Sequence, residues 1–418
     1  MREWNRIWSA SLIGVALFTL MACGGLPESD LSAGAPEPGV PKQLRSRQII
    51  VALAEKERPQ WSAIALDLQT RYRLRPVGEF PLTSIGVQCL VFQVPADQPL
   101  ESVIAQLRAD PRVELAQANQ VFEGLRALPG DPYAPYAELA YGVRLMGANR
   151  AQRFSTGRGV TVAVIDTGAD TEHPDLRGRG IQTANFVEGG ESSFPLDRHG
   201  TAVAGVIGAR ADGVGLEGVA PDATLSVVKA CWYSDPASAK ALCSSWTLAK
   251  AADFAINNGA KVINLSLNGR PDDLLARLLA AAHRRGIVLV AAAAEDRDNP
   301  GFPAALDTVI PVISCDVNSA VSSPRWRSAA FVAVAPGQDI VAPAPQGRYA
   351  LLSGSSLAAA HVTGVAALLL QHQPGLSPDQ VKTLLQASAR PAPAARPELG
   401  IVDACAALNL AAPELACP

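Results

Sequence analysis

The chain has 418 residues, 48% of them hydrophobic and 18% charged, which is too apolar for disorder along its bulk and long enough for two or three domains. Thirty-six Lys and Arg against 39 Asp and Glu give a net charge of −3, with no basic block of the kind that follows a phosphate backbone, so nucleic acid is not an expected partner. Thirty-four Gly and 32 Pro beside only 5% aromatic residues suit tight helix-on-sheet packing broken by many turns.

Residues 1–22 have the pattern of a secretory signal. Arg2 and Arg6 bracket a basic start, and the apolar run Ile7–Ala22 is shorter than the ~20 residues of a stable membrane-spanning helix. Leu20, Met21 and Ala22 precede Cys23, and Gly24 and Gly25 follow, which resembles a bacterial lipobox, whose Cys is acylated and becomes the new N-terminus. An ordinary cleaved signal with an incidental Cys is the alternative. On the lipobox reading Cys23 is the lipidation site, the protein is exported to the cell envelope, and acyl chains hold it to a membrane surface without a spanning helix. Residues 23–46, with repeated Gly, Pro, Glu and Ser, read as a flexible tether.

Residues 47–123 form a compact alternation. Gln48–Ala52, Leu74–Phe80, Val87–Val94 and Val113–Gln117 read as extended, and Pro59–Tyr72 and Leu100–Ala109 as helical. That order predicts a small α+β domain of the split β-α-β, ferredoxin-like kind. Residues 124–145 read as a linker, because Leu128–Tyr141 is rich in Pro and Tyr and has no periodicity. Residues 146–392 read as the main domain. Val160–Ile165, Thr224–Lys229, Val262–Leu267, Ile287–Ala293 and Val309–Ser314 are apolar runs bounded by turn residues, and Asp253–Asn258, Leu274–Arg285 and Ser356–Gln371 are helical stretches between or after them. The alternation predicts an α/β fold with a mostly parallel sheet and helices on both faces. Residues 393–418 read as a tail. An exported chain favours disulfides, and Cys231 with Cys243 and Cys405 with Cys417, each 12 apart, could each close a local loop contributing about 2–3 kcal/mol. Cys89 and Cys315 lie in apolar runs and read as buried small hydrophobes. Metal-ligand spacings of the Cys-x-x-Cys or His-x-x-x-His kind are not found.

In an open α/β sheet, ligand chemistry gathers at the carboxyl ends of the strands. Val160–Ile165 runs into Asp166-Thr167-Gly168; His199 stands in Asp197-Arg198-His199-Gly200-Thr201 at the start of a small-residue helix; Ser356 opens a long apolar helix. Each alone has a structural reading as an ion-pair partner, a core imidazole or a cap. Together they have the chemistry of nucleophilic catalysis: an imidazole to take the hydroxyl proton, a carboxylate to fix the imidazole, and a helix N-terminus to favour developing negative charge.

Several further segments accompany these three: His173-Pro-Asp-Leu, Gly218-Val-Ala-Pro221, Val262-Ile-Asn-Leu-Ser266, Phe302-Pro-Ala and Gly354-Ser-Ser356. With them, residues about 128–390 resemble a subtilisin-like serine protease, a subtilase of peptidase family S8. The resemblance implies a serine endopeptidase that hydrolyses peptide bonds, with Ser356 as nucleophile, His199 as base and Asp166 orienting it. It implies a cleft lined by Ser266, Leu267 and Asn268, and no required cofactor. Calcium is common in subtilases, but no carboxylate cluster can be assigned to it. Residues 47–123 resemble the subtilase propeptide, a chaperone-inhibitor, with Asp110-Pro-Arg-Val113 and Asn119 near its last strand. The partners implied are peptide or protein substrates and the chain's own propeptide, with a cut between about Phe122 and Pro132. Because Cys23 lies on the propeptide side, such a cut would release the catalytic domain unless the two stay bound.

The departures fall near the nucleophile. Ser355, Leu357 and Ala360 stand where the family favours Thr, Met and Pro, and Asn268 stands at the family's Gly. After the strand ending at Ala293 the family reads Ala-Ala-Gly-Asn, its Asn amide donating to the oxyanion; this chain reads Ala293-Ala294-Glu295. Loss of that donor lowers the rate about 10²–10³-fold in subtilisin itself. A protonated Glu295, or Asn299 swinging in from four residues downstream, would restore one. The alternative is a degenerate subtilase that binds peptides with little turnover; a structural envelope lipoprotein is the remaining class.

Overall fold

The computed structural model describes residues 46–124, 140–234, 240–321, 325–328, 330–392 and 396–418. The expected signal and most of the tether, Cys23 included, lie outside them. Among the described residues no helix is long and apolar enough to cross a membrane.

The N-terminal domain has strands β1 (Gln48–Ala54), β2 (Arg75–Leu82), β3 (Val87–Gln93) and β4 (Val113–Ala118), with helices α1 (Trp61–Arg71) and α2 (Leu100–Arg108). The sheet order is β2-β3-β1-β4, and every pair is antiparallel. This is the split β-α-β arrangement that the sequence predicts. Period-two alternation divides its side chains. Ile49, Val51, Leu53, Leu90 and Phe92 pack with Ile64, Leu68 and Ile104 of the helices, while Ile50, Ala52, Phe80 and Val91 face the main domain.

The main domain begins with two short helices, α3 (Tyr141–Leu145) and α4 (Ala148–Ala151), after a short strand, β5 (Val121–Gly124). It continues with β6 (Thr161–Asp166), β7 (Gln182–Asn185), α5 (Arg198–Gly208), β8 (Thr224–Lys229), β9 (Cys231–Tyr233), β10 (Ala241–Ser244), α6 (Ser245–Asn257), β11 (Val262–Leu265), β12 (Leu267–Gly269), α7 (Asp273–Arg284), β13 (Val288–Ala292) and β14 (Ile310–Cys315). Its last elements are β15 (Val332–Pro336), β16 (Ile340–Ala344), β17 (Arg348–Leu352), α8 (Ser355–His372), α9 (Pro378–Ser388), β18 (Arg390–Pro391), β19 (Leu399–Ile401) and α10 (Ala404–Ala411). Nine strands form one sheet in the order β18-β19-β15-β14-β13-β11-β6-β8-β7, parallel except at β18–β19. Val162 and Val164 of β6 point into one apolar layer with α5 and α8, and Ala163 and Ile165 into the other with α6 and α7. Covering both faces is what makes the parallel strands apolar throughout. Helix α8 is buried nearly all round, as an all-apolar helix must be.

Two expected boundaries change. The end of the expected linker, 124–145, holds α3, and Tyr141 donates from its hydroxyl to the Gln338 carbonyl at 2.5 Å. The expected tail, 393–418, is part of the main domain: β19 extends the sheet, and Ala404, Ala407 and Leu408 join its core. A three-residue strand and helices of five and eight residues carry too few side chains to show a clear period. Both local disulfides, Cys231–Cys243 and Cys405–Cys417, are present, and Cys89 and Cys315 are buried and free.

Candidate active site

Adjacent strand ends bring the site together. Strand β6 ends at Asp166, and β11 pairs with it through Leu265 opposite Ile165, so Asp166 and Ser266 emerge side by side. Asp166 is buried, and its two carboxylate oxygens accept from His199 Nδ1 at 2.8 and 2.9 Å. It also accepts the Thr167 N–H at 2.7 Å. An ionised carboxylate is acceptor-only, which assigns the neutral ring's proton to Nδ1 and leaves Nε2 as the free base. Burial opposes a charge on the ring, but the charge and hydrogen bonds of Asp166 outweigh it, and the His199 pKa lies above the ordinary imidazole value. Gly200 lets this approach happen: a Cβ there would stand 2.0 Å from the Gly168 carbonyl oxygen.

Ser356 is the second residue of α8 and is buried. Its hydroxyl donates to the Ser266 carbonyl at 3.3 Å, and the Ser266 hydroxyl returns a bond to the Ser356 carbonyl at 3.1 Å. His199 Nε2 is buried and has no hydrogen-bond partner among the described residues. The expected single contact through all three groups is therefore assembled on the Asp166–His199 side only; the Ser356 hydroxyl is turned to the neighbouring strand end.

Both residues expected at the oxyanion have other partners. Glu295 accepts from the Ser314 N–H at 2.7 Å through one oxygen and from the Ser314 hydroxyl at 3.2 Å through the other. The register explains it: Ala292 is opposite Val312, and two or three residues on, Glu295 meets Ser314. Asn299 is exposed, and its Oδ1 accepts the Gly301 N–H at 2.9 Å; it closes a local turn rather than entering the site. Ser355 donates to the Ala293 carbonyl at 2.9 Å, which ties the chain before Glu295 to the residue before Ser356.

Of the expected cleft residues, Leu267 and Asn268 lie in β12. There β5 pairs antiparallel with them, Gly124 opposite Leu267, Glu123 opposite Asn268 and Phe122 opposite Gly269. The other edge of β5 pairs with β10, Phe122 opposite Cys243. Phe122 is fully buried beside Phe302, ring centroids 6.1 Å apart, and a Cβ on Gly269 would stand 2.2 Å from its ring. The Asn268 amide donates to the Pro300 carbonyl at 3.1 Å. The N-terminal domain also completes two helix starts. Asn119 Oδ1 accepts the Trp246 N–H at 3.2 Å on α6, and Gln117 accepts the Leu274 N–H at 3.0 Å on α7 while donating to Asp272 at 2.7 Å.

Three residues of the site were not foreseen. Lys229, fully buried at the end of β8, donates to Asp197 at 2.6 Å, and the Tyr233 hydroxyl accepts the His199 backbone N–H at 3.2 Å. Burial disfavours both charges of the pair, raising the Asp197 pKa to about 7 and lowering that of Lys229, and each partner offsets part of the other's cost. A lone Lys closing a buried apolar run was the available signal. Among the described residues, no group of three or more His, Cys, Asp or Glu is placed to hold a metal ion. Asp175, the carboxylate of the His-Pro-Asp-Leu segment, is occupied by the Tyr349 hydroxyl at 2.7 Å and the Leu216 N–H at 3.1 Å.

Residues 157–404 match the family model of Peptidase_S8, the subtilase family. M-protease of Shouchella clausii is 37% identical over 281 residues, covering 64% of this chain and 72% of its own length. Thermitase of Thermoactinomyces vulgaris is 33% identical over 265 residues, covering 62% and 91%. Fervidolysin from Fervidobacterium pennivorans, described as a keratinolytic enzyme related to subtilisin, superposes with a TM-score of 0.68 at 22% identity. That alignment covers 88% of this chain and 62% of the solved one, and it is a likeness of fold.

Proposed function

Because this chain belongs to the subtilase family and is a serine endopeptidase, we propose that it cuts peptide bonds through Ser356, His199 and Asp166. The observation that carries this is the buried Asp166–His199 bond, which leaves Nε2 of the ring an unpartnered base. Rotation of the Ser356 hydroxyl from the Ser266 carbonyl to that nitrogen completes the relay. Ser356 then attacks the scissile carbonyl and gives its proton to His199, which passes it to the leaving amine; water repeats the sequence to free the acyl group. The Ser356 backbone N–H, at the start of α8, supplies one oxyanion donor. The test is hydrolysis of a quenched-fluorescent peptide across pH. Turnover is expected, falling on the acid side at a pH above the ordinary imidazole value, because the base must be neutral and Asp166 favours its protonated form. A limb set at a carboxylate pH would contradict the assignment.

Residues 47–123 act, in this reading, as an inhibitory propeptide. Its support is β5, whose backbone takes both edges that an extended peptide would use. Maturation then falls beyond Gly124, within residues 125–132, and N-terminal sequencing of the mature form checks it; a start before residue 124 would contradict the register. Phe122→Ala is expected to weaken inhibition by the N-terminal domain about 10- to 100-fold, since it removes a fully buried aromatic anchor; an unchanged inhibition constant would argue against β5 as the blocking segment. Export and anchoring through acylated Cys23 complete the proposal, with the precursor at the membrane surface and the mature domain freed when the propeptide lets go.

The second reading, a peptide binder with little turnover, is favoured by one observation: both oxygens of Glu295 accept hydrogen bonds where relatives are expected to donate one.

A further inference from the structure

We propose that the buried Asp197–Lys229 ion pair is a positioning device for the His199 base. The inference rests on the reading of His199 as that base. Lys229 stands opposite Asp166 in the β6–β8 register, and its ammonium reaches three oxygens: the Asp197 carboxylate at 2.6 Å, the Cys231 carbonyl at 3.2 Å and the Thr167 carbonyl. One cation thus ties the residue after Asp166 to the residue two before His199. The same segment holds the other side of the helix start, where Tyr233 accepts the His199 N–H and the Arg198 guanidinium lies 5.4 Å over the Tyr233 ring. Asp197 is itself the residue before α5, and its carbonyl accepts the Thr201 hydroxyl at 2.5 Å. The His199 backbone is therefore pinned from β6, β8 and β9 together.

A buried ion pair is weak evidence for stability, because an apolar pair of similar volume often serves as well. Its value here is geometric. The Asp166–His199 bond requires that the end of β6 and the start of α5 keep a fixed separation, and Lys229 bridges these two points. The charged and ionisable groups packed around this helix start are Asp166 from β6, Asp197 and Arg198 from α5, Lys229 from β8 and the Tyr233 phenol from β9, which burial keeps neutral. Removing Asp197 or Lys229 therefore changes both the place of the ring and the field on it.

Four variants test the idea: Asp197→Asn, Lys229→Met, Lys229→Arg and the double Asp197→Asn/Lys229→Met. In the Ser356→Ala background the His199 ring is titrated by NMR, and with Ser356 present kcat and KM are measured across pH. Asp197→Asn and Lys229→Met each leave a buried partner without its counter-charge, which then neutralises, so each is expected to shift the ring titration as the double variant does. The acid limb of kcat/KM then moves the same way in all three. Both lower kcat about 10- to 100-fold with KM within about threefold, the scale of a misplaced catalytic group, while Lys229→Arg keeps the acid limb and recovers part of kcat. An unmoved ring titration and limb across all four, or a change in KM alone, would overturn the proposal. If Lys229→Met does not fold, Asp197→Asn, which preserves shape, and Lys229→Arg, which preserves charge, carry the test. A shared ring shift in a protein without turnover would refute the hydrolysis reading and leave only the pair's hold on the His199 ring standing.

Discussion

Glu295→Asn is expected to raise kcat about 10²-fold, with a lower melting temperature. The gain follows from electrostatics. A tetrahedral intermediate on Ser356 places a full negative charge at the carboxyl end of the sheet, in a region where Asp166, Ser355 and Ser356 are all buried. A neighbouring carboxylate opposes that charge, while an amide in its place offers an N–H; one such donor changes the rate about 10²–10³-fold in subtilisin. The loss follows from the present partners. Glu295 accepts both the Ser314 N–H and hydroxyl, and the shorter Asn leaves the N–H without its acceptor, at a cost of about 1–3 kcal/mol. Glu295→Gln separates the two effects: it keeps the length and one acceptor, removes the charge, and is expected to give a smaller gain in rate with little loss of stability. An unchanged kcat in Glu295→Asn, measured per titrated site at saturating peptide, would mean that Glu295 does not limit the reaction.

Asp166→Asn is expected to lower kcat about 10⁴-fold while KM stays close to its original value. The carboxylate accepts the Nδ1–H of His199; an Asn amide can turn its own N–H toward the ring, which moves the ring proton to Nε2 and removes the base from the Ser356 side. The site is buried, so water does not restore the tautomer, and losses of about this size accompany replacement of the orienting aspartate in serine proteases. A fall of less than about tenfold would show that Asp166 is not what orients the ring.

The parts of the molecule legible in its sequence are those whose signals are local. Thr224–Lys229 and Val262–Leu267 are apolar runs bounded by turn residues, and they form central parallel strands with ends displaced by at most two residues. Ser356 and His199 could be placed on helix starts because small apolar residues follow each. The four-stranded sheet β12-β5-β10-β9 was illegible, since strands of three or four residues show no period and β5 pairs with partners more than a hundred residues away. The first two turns of α6 lie before the expected stretch Asp253–Asn258; in the fold Ser244 and Thr247 form a capping box that starts the helix at Ser245. Glu295 stood out as a departure, yet its partner could be found only through the parallel register that brings Ser314 beside it. The Asp197–Lys229 pair joins residues 32 apart across two elements, a coincidence that no single segment reports.

The most direct measurement is to treat the mature protein with a fluorophosphonate and map the adduct by peptide mass spectrometry. A single modified site at Ser356, lost in His199→Ala and formed more slowly in Asp166→Asn, is the predicted result. A folded, mature protein that forms no adduct at Ser356, or forms it equally fast without the His199 ring, would contradict the account.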